Sequence, residues 1–258
     1  MSIIIAIANQ KGGVGKTTTN VNLSACLATA GKKVLTIDSD PQGNTTSGLG
    51  IDKKSVDKSI YDVLINGLDV EQSIIPTKVP NLDIIPSNIQ LAGAEIEMVS
   101  MLSREHILKR SIESIRDRYD YILIDCPPSL GLITINALTA SDKILVPIQC
   151  EYYALEGLSQ LMNTVKLVRN YLNPSLEVEG VVLTMFDART NLSIQVVEEV
   201  KKYFRNKVYR TIIPRNVRLG EAPSHGLPII MYDPKCTGAE AYMDLAEEVI
   251  ESSEEEIA

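Results

Sequence analysis

Unbroken apolar runs alternate along this chain with segments whose apolar residues recur every three or four positions. The unbroken runs lie at 3–8 (IIIAIA), 34–38, 82–86, 121–125, 143–147, 178–184 and 208–214. They are short and rich in Ile, Val and Leu, which predicts strands buried on both faces, the habit of a parallel sheet. Between them, LSQLMNTVKLVRNYL (158–172) and SIQVVEEVKKYF (193–204) carry the i, i+3/i+4 spacing of helices with one apolar side. Gly31 stands where the first helix should stop. Strand and helix in steady alternation predict an α/β fold, a mostly parallel sheet with helices on both faces. No internal repeat and no Pro/Ser-rich linker divides the chain. It is therefore read as a single domain over residues 1–250, followed by an acidic tail, 251–258, expected to fray. Residues 41–60, PQGNTTSGLGIDKKSVDKSI, have loop composition and follow a strand end, so they are a candidate switch.

Candidate chemistry sits where three of the predicted strands end. The first run leads into NQKGGVGKTTTNVNLS (9–24). The glycine spacing is that of a phosphate-binding loop in its second half only: the usual G-x-x-x-x-G-K-[ST] needs glycine at position 10, where Gln10 stands. In such a loop glycines let backbone N–H groups close around phosphate oxygens, and the following helix adds partial positive charge. Lys11, Gly12, Gly13, Val14, Gly15, Lys16, Thr17 and Thr18 are the candidate nucleotide-binding residues. Lys16 would reach the β/γ-phosphates and the Thr17 hydroxyl would ligate Mg²⁺. The run ending in YDYILIDCPPSLG (119–131) delivers Asp125 to a strand end, where a carboxylate can hold Mg²⁺ directly or through water. In LTIDSDPQGN (35–44), Asp38 closes a strand and Asp40 opens the candidate switch. A carboxylate there can orient an attacking water, and either acid could instead only cap a turn.

The net charge of −8 changes the picture only through its distribution. Residues 201–218 carry seven Lys/Arg and no acid, whereas 244–258 carry seven acids and no base. The basic run, with Arg189, is expected to form one positive surface, with Lys201 and Lys202 more simply read as a solvated helix side. Cys26, Cys126, Cys150 and Cys236 are spread without a C-x-x-C, as buried reduced thiols of a cytosolic protein would be. No signal peptide and no membrane-length apolar run is visible. His106 and His225 are read as non-catalytic, His225 as part of a turn.

The three strand-end motifs together resemble the deviant Walker A ATPases, K-G-G-x-G-K-[ST]-T, a group that includes ParA, Soj and MinD. The likeness extends through QCEYYALEGL, TMFDARTNL and IIPRNVRLGEAPSHGLPI, and over residues 3 to about 250 it is specific to the ParA/Soj partition branch. The resemblance implies a P-loop NTPase-like sheet of about eight strands and a slow, Mg-dependent ATPase that forms an ATP-dependent sandwich dimer. Lys11 would then reach the phosphates of the other subunit, as arginine fingers do. Gly12 would lie where the two loops face each other, and Asp40 would position the hydrolytic water. Thr17 and Asp125 would form the Mg²⁺ shell, and Pro214 and Asn216 would sit at the adenine. Arg189 and Arg218 would contact DNA phosphates, giving binding without sequence preference. The implied partners are a second copy, duplex DNA and a ParB-type centromere-binding protein that stimulates hydrolysis. The implied location is cytoplasmic and nucleoid-associated.

Rival readings share the nucleotide site. A MinD-like membrane-associated division-site ATPase would end in a basic amphipathic helix, whereas the polar side of EAYMDLAEEVIESSEEEIA is acidic, so no membrane partner is expected. An iron–sulfur reductase would need a cysteine several residues past Asp125, where Leu132 stands instead. A metabolic ligase would need a small-substrate pocket with convergent polar residues, and the arsenite-pump type carries two phosphate loops.

Overall fold

The computed structural model describes residues 2–151 and 156–255. Its elements in chain order begin β1 (Ile3–Ile7), α1 (Lys16–Thr29), β2 (Val34–Asp38), α2 (Asn44–Gly48), α3 (Ile60–Ile65), β3 (Ile75–Pro76) and β4 (Leu82–Ile85). There follow α4 (Leu91–Met98), α5 (Ile107–Ile112), β5 (Tyr121–Asp125), α6 (Leu132–Ala140), β6 (Lys143–Gln149), α7 (Glu156–Tyr171) and β7 (Glu177–Phe186). The chain continues through α8 (Asn191–Phe204), β8 (Val208–Pro214), α9 (Val217–Glu221), α10 (Ile229–Tyr232) and α11 (Thr237–Glu255).

The strands form one eight-stranded sheet in the order β3-β4-β2-β5-β1-β6-β7-β8. Every neighbouring pair is parallel except β3 with β4. The α/β fold expected from the apolar pattern is therefore the fold observed. Seven of the strands fall on the predicted runs; β3, two residues at the sheet edge ending in a proline, does not.

Side chains on a strand point alternately to its two faces, and each face has its own core. Ile4, Ala6 and Ala8 join Leu35, Ile37, Ile122 and Ile124 on one side. Ile5 and Ile7 join Val34, Leu123 and Leu145 on the other, where α1 and α11 pack through residues such as Leu23, Leu27, Tyr242 and Leu245. Helix α1 stops as the sequence suggests. Ala30 N–H donates to Cys26 O at 2.9 Å, and Gly31 takes the left-handed conformation (φ +87°) that releases the chain toward β2.

Two features differ from the sequence reading. Residues 41–60 are not simply loop, because α2 forms inside them. It has no apolar stripe and is held instead by hydrogen bonds from its threonines to buried acids. The chain also runs past the expected boundary at 250 as helix, since α11 continues to Glu255. In its last turns Ser253 is buried and donates to Val249 O of the same helix at 2.7 Å, and Lys32 lies 3.4 Å from Glu254. Residues 256–258 lie outside the described residues.

Candidate functional site

Register builds the site. Asp38, last residue of β2, is the direct partner of Asp125, last residue of β5, and Asp125 in turn pairs with Ile7, last residue of β1. Parallel pairing thus brings two acids and the start of the glycine loop to one point at the carboxyl end of the sheet. Asn9 fixes the loop's departure, donating from Nδ2 to Pro147 O at 2.7 Å and accepting from Lys11 N–H at 3.0 Å. Gly13 (φ +75°) and Gly15 (φ +91°) take left-handed conformations that side chains disfavour. Gly12 does not, and a Cβ there would meet nothing within 4 Å. The loop's outer side is tied to β7 by Thr184, whose hydroxyl donates to Val14 O at 2.8 Å.

The two loop lysines have opposite surroundings. Lys16 is buried and its Nζ donates to Lys11 O at 3.1 Å. Burial pulls its ammonium below the ordinary lysine pKa, with the Asp125 carboxylate opposing that shift. Lys11 is half-buried, and within the described residues its ammonium forms no ion pair.

Beside the loop, Asp125 is fully buried and its Oδ2 accepts from two hydroxyls, Thr17 and Thr45, each at 2.8 Å. Its Oδ1 is buried without a partner among the described residues. Asp38, also fully buried, takes Thr46 N–H at 2.8 Å and Thr46 Oγ1–H at 2.7 Å on Oδ2, and Asp40 N–H at 3.2 Å on Oδ1. Burial drives both carboxyls above the usual carboxylate range. The Asp38 charge pushes Asp125 up further and the Asp40 charge does the same to Asp38, while the threonine hydrogen bonds only partly offset the rise. Asp40 is 8% exposed, with Oδ1 accepting Gln42 N–H at 2.8 Å.

A cavity of about 240 Å³ opens on the other flank of the loop, between Gly15, Thr18, Thr184, Met185, Pro214 and Tyr242, with Asn216 also on its wall. Asn216 has prior duties there. Its Oδ1 accepts Arg218 N–H at 2.8 Å, capping α9, and its Nδ2 donates to Thr237 Oγ1 at 2.9 Å. Asn216 thus holds the starts of α9 and α11 together at the cavity mouth.

The basic run does not form one surface. Lys201, Lys202, Arg205 and Lys207 lie at the end of α8 and in the turn before β8, the amino end of the sheet, whereas Arg215 and Arg218 follow β8 at its carboxyl end. Strand β8 separates the two groups by about 20 Å at roughly 3.3 Å per residue. Acids near in space also answer several of these bases: Arg210 reaches Glu251 at 2.8 Å and Arg215 reaches Glu151 at 3.1 Å. Arg218 meets Glu221 at 2.8 Å and Asp233 at 3.4 Å, and Arg189, just past β7, meets Asp187 at 2.7 Å. Arg189 and Arg218 do share the end of the sheet that carries the phosphate loop.

Five residues that shape the site, Asn9, Thr45, Thr46, Thr184 and Asn20, whose Nδ2 donates to Thr45 Oγ1 at 3.1 Å, do not stand out in the sequence. The available signal was modest: buried strands and helix starts carrying Asn and Thr where apolar residues would serve packing better. His225 lies in the turn closed by Gly226 (φ +62°), its ring 4.9 Å from that of Tyr232. The four thiols are free, three of them buried.

The fit to a magnesium nucleotide is chemical as well as geometric. One hydroxyl, that of Thr17, and one carboxylate, that of Asp125 with its Oδ1 buried and unpaired among the described residues, suit a cation that takes few protein ligands and relies on phosphates and water for the rest. Residues 2–178 match the AAA domain family. The chain is 68% identical over 249 residues to the sporulation initiation inhibitor protein Soj of Bacillus subtilis, covering 96% of this chain and 98% of that one. It is 53% identical over 247 residues to the chromosome partitioning protein ParA of Myxococcus xanthus, covering 96% and 87%. Among solved structures, a cobyrinic acid a,c-diamide synthase from Mycobacterium smegmatis with bound ADP and magnesium superposes with a TM-score of 0.88 at 35% identity, covering 98% and 96%. The septum site-determining protein MinD of Pyrococcus horikoshii, complexed with Mg-ADP, gives 0.81 at 29%, covering 96% of each chain. Identity is far higher to the partition proteins than to either enzyme of the same fold, and it runs the length of the chain: the protein belongs to the ParA/Soj family of chromosome-partitioning ATPases.

Proposed function

We propose that the protein is an ATP-driven switch for DNA segregation, acting as one ATPase domain. Two ATP-bound copies associate through their phosphate loops, and the dimer holds duplex DNA by phosphate contacts. Hydrolysis to ADP and phosphate, stimulated by a ParB-type partner, releases the DNA. The work is cytoplasmic, on the nucleoid.

The observation that carries this reading is the contrast within the loop. Lys16 is turned in and buried, as a lysine serving its own nucleotide should be. Lys11 has no acidic partner among the described residues, and beside it Gly12 faces open space with no left-handed φ to explain the glycine. A second copy closing on the loop would use both features, the free ammonium as a partner for its phosphates and the open space as room for its own loop.

In this reading the backbone of Gly12, Gly13, Val14 and Gly15 and the Thr18 side chain surround the phosphates, with Pro214 and Asn216 at the base. Thr17 and Asp125 would hold Mg²⁺, which when bound neutralises charge on the phosphate oxygens. Asp40, steadied by Gln42 N–H, orients the attacking water. Lys11 of a second copy adds positive charge at the transferred phosphoryl group. Arg189 and Arg218 give DNA affinity without base reading.

A MinD-like membrane switch is disfavoured by the acidic polar side of α11. No helix among the described residues is long and apolar enough to cross a membrane. The deciding experiment is binding to random-sequence duplex DNA with ATP, ADP or no nucleotide, with and without a ParB-type protein. Binding with ATP alone, shortened by the partner, is expected. Equal binding in all three nucleotide states, or none, refutes the proposal.

A further inference from the structure

One buried polar chain at the site has no role in the function proposed so far. Asn20 of α1 is fully buried, and its Nδ2 donates to Thr36 Oγ1 on β2 at 2.7 Å and to Thr45 Oγ1 on α2 at 3.1 Å. Thr45, equally buried, donates to Asp125 Oδ2 at 2.8 Å. A hydroxyl has one proton, and with Asn20 donating to its oxygen, that proton is directed to the carboxylate. Thr17 donates to the same oxygen from the phosphate loop at 2.8 Å. A carboxylate turns as a plane, so fixing Oδ2 from two sides also fixes Oδ1, the oxygen left without a partner. The two threonines differ in what else they do. Thr17 lies in the loop itself, whereas Thr45 belongs to α2, whose next residue, Thr46, is bound to Asp38 through both N–H and hydroxyl.

We propose that Thr45, oriented by Asn20, is a positioning residue for the divalent cation. It locks the Asp125 carboxylate so that its unpaired oxygen is the one presented, and it thereby ties α2 to the metal site. The inference rests on the Mg-nucleotide reading of the site. Were Thr45 only a structural partner for a buried charge, its loss would loosen the fold or all nucleotide binding, with no selective effect on the metal.

The test uses the full chain with Thr45→Val, which keeps the shape and removes the hydroxyl, and Thr45→Ser, which restores it. Mn²⁺ affinity is measured by electron paramagnetic resonance in the presence of ADP, and ADP affinity is measured separately in chelator. Supporting-partner losses at metal sites typically cost about 10- to 100-fold in metal affinity. Thr45→Val is therefore expected to weaken Mn²⁺ binding about tenfold or more, Thr45→Ser to stay near wild type, and metal-free ADP affinity to hold in both. Wild-type Mn²⁺ affinity in Thr45→Val overturns the proposal, as does a parallel loss of metal-free ADP binding. If Thr45→Val does not fold, Asn20→Ala carries the test: a selective loss of Mn²⁺ affinity supports the proposal and unchanged affinity overturns it. A wild-type protein that binds no Mn²⁺ with ADP refutes the metal site itself, a result distinct from failure of Thr45 alone.

Discussion

Two charged regions share the carboxyl end of the sheet, and they are built in opposite ways. Around the phosphate loop, half-buried Lys11 apart, the charges are buried and tied to uncharged groups: Lys16 to the loop backbone, Asp125 to two threonines, Asp38 to the start of α2. Around Arg189 and Arg218 the charges lie in solvent, each beside a nearby acid; the Arg189 side chain is 86% exposed and that of Arg218 54%. Buried like charges with an unpaired oxygen are costly until a cation arrives, so the first region is shaped in advance for its ligand. Exposed ion pairs are worth about 0–1 kcal/mol, so the second can exchange a carboxylate for a phosphate at little cost. The comparison separates a site shaped in advance for its ligand, which on the proposed reading a second copy's Lys11 completes, from an exposed one whose proposed DNA affinity would scale with the number of copies.

Removing Lys16 should give the largest effect. Lys16→Ala takes the one buried cation from the loop and should cost about 1.5–3 kcal/mol of ATP binding, the worth of a charged hydrogen bond. Lys11→Ala should leave ATP binding nearly intact and lose ATP-dependent dimerisation. Calorimetry and gel filtration decide. Equal losses of ATP affinity in both variants would erase the contrast between the two lysines.

Gly12→Val tests whether that contrast points to a second copy. A side chain at Gly12 meets nothing in the single chain, so stability should stay within about 0.5 kcal/mol of wild type, as for surface substitutions. ATP binding should persist while light scattering finds only monomer. An ATP dimer of normal mass would move the interface elsewhere.

A third prediction concerns the strain of the buried acids. A carboxyl raised in the folded state favours folding below its unfolded pKa, near 4, and loses that contribution as pH rises through the raised value. Asp125→Asn cannot ionise. Its stability relative to wild type in nucleotide-free protein should therefore be greatest near pH 8 and shrink as pH falls from about 7 toward 5. Thermal melts across that range provide the check. A margin that stays flat, or grows toward acid, would mean that the carboxyl is not under strain.

Much of this was legible in the sequence, for local reasons. Strands β1, β2, β5 and β6 are continuous apolar runs, and the acids that matter close two of them. Strand β3 was not legible, because two residues ending in Pro76 carry no pattern. Helix α2 was missed because NTTSG has no apolar stripe; its anchors are acids elsewhere in the chain. The supporting polar residues were hidden by distance: Thr45 meets Asp125 across 80 positions and Thr184 meets Val14 across 170. The basic run misled for the converse reason, since neighbours in sequence at 201–218 are parted by a strand that crosses the sheet.

That separation gives the last and smallest prediction. Arg189 and Arg218 lie at the loop end of the sheet, so a dimer closing through Gly12 would present two copies of each to one DNA surface. Lys201, in the last turn of α8, lies at the other end. Removing one arginine–phosphate pairing should flatten log affinity against log salt by about 0.9, so Arg218→Ala in the dimer should reduce the slope by roughly 1.8. Arg189→Ala should do the same, and Lys201→Ala should leave the slope unchanged. Asp187→Ala frees the Arg189 guanidinium from a carboxylate that takes two hydrogen bonds from it, at 2.8 and 2.7 Å, and should tighten DNA binding modestly. All effects should be equal for unrelated DNA sequences, because no base edge is read. ATP turnover should be untouched, since none of these residues touches the loop. Salt titrations on the four variants measure this directly. A slope that falls for Lys201→Ala and not for the arginines would place the DNA at the opposite end of the sheet from the nucleotide.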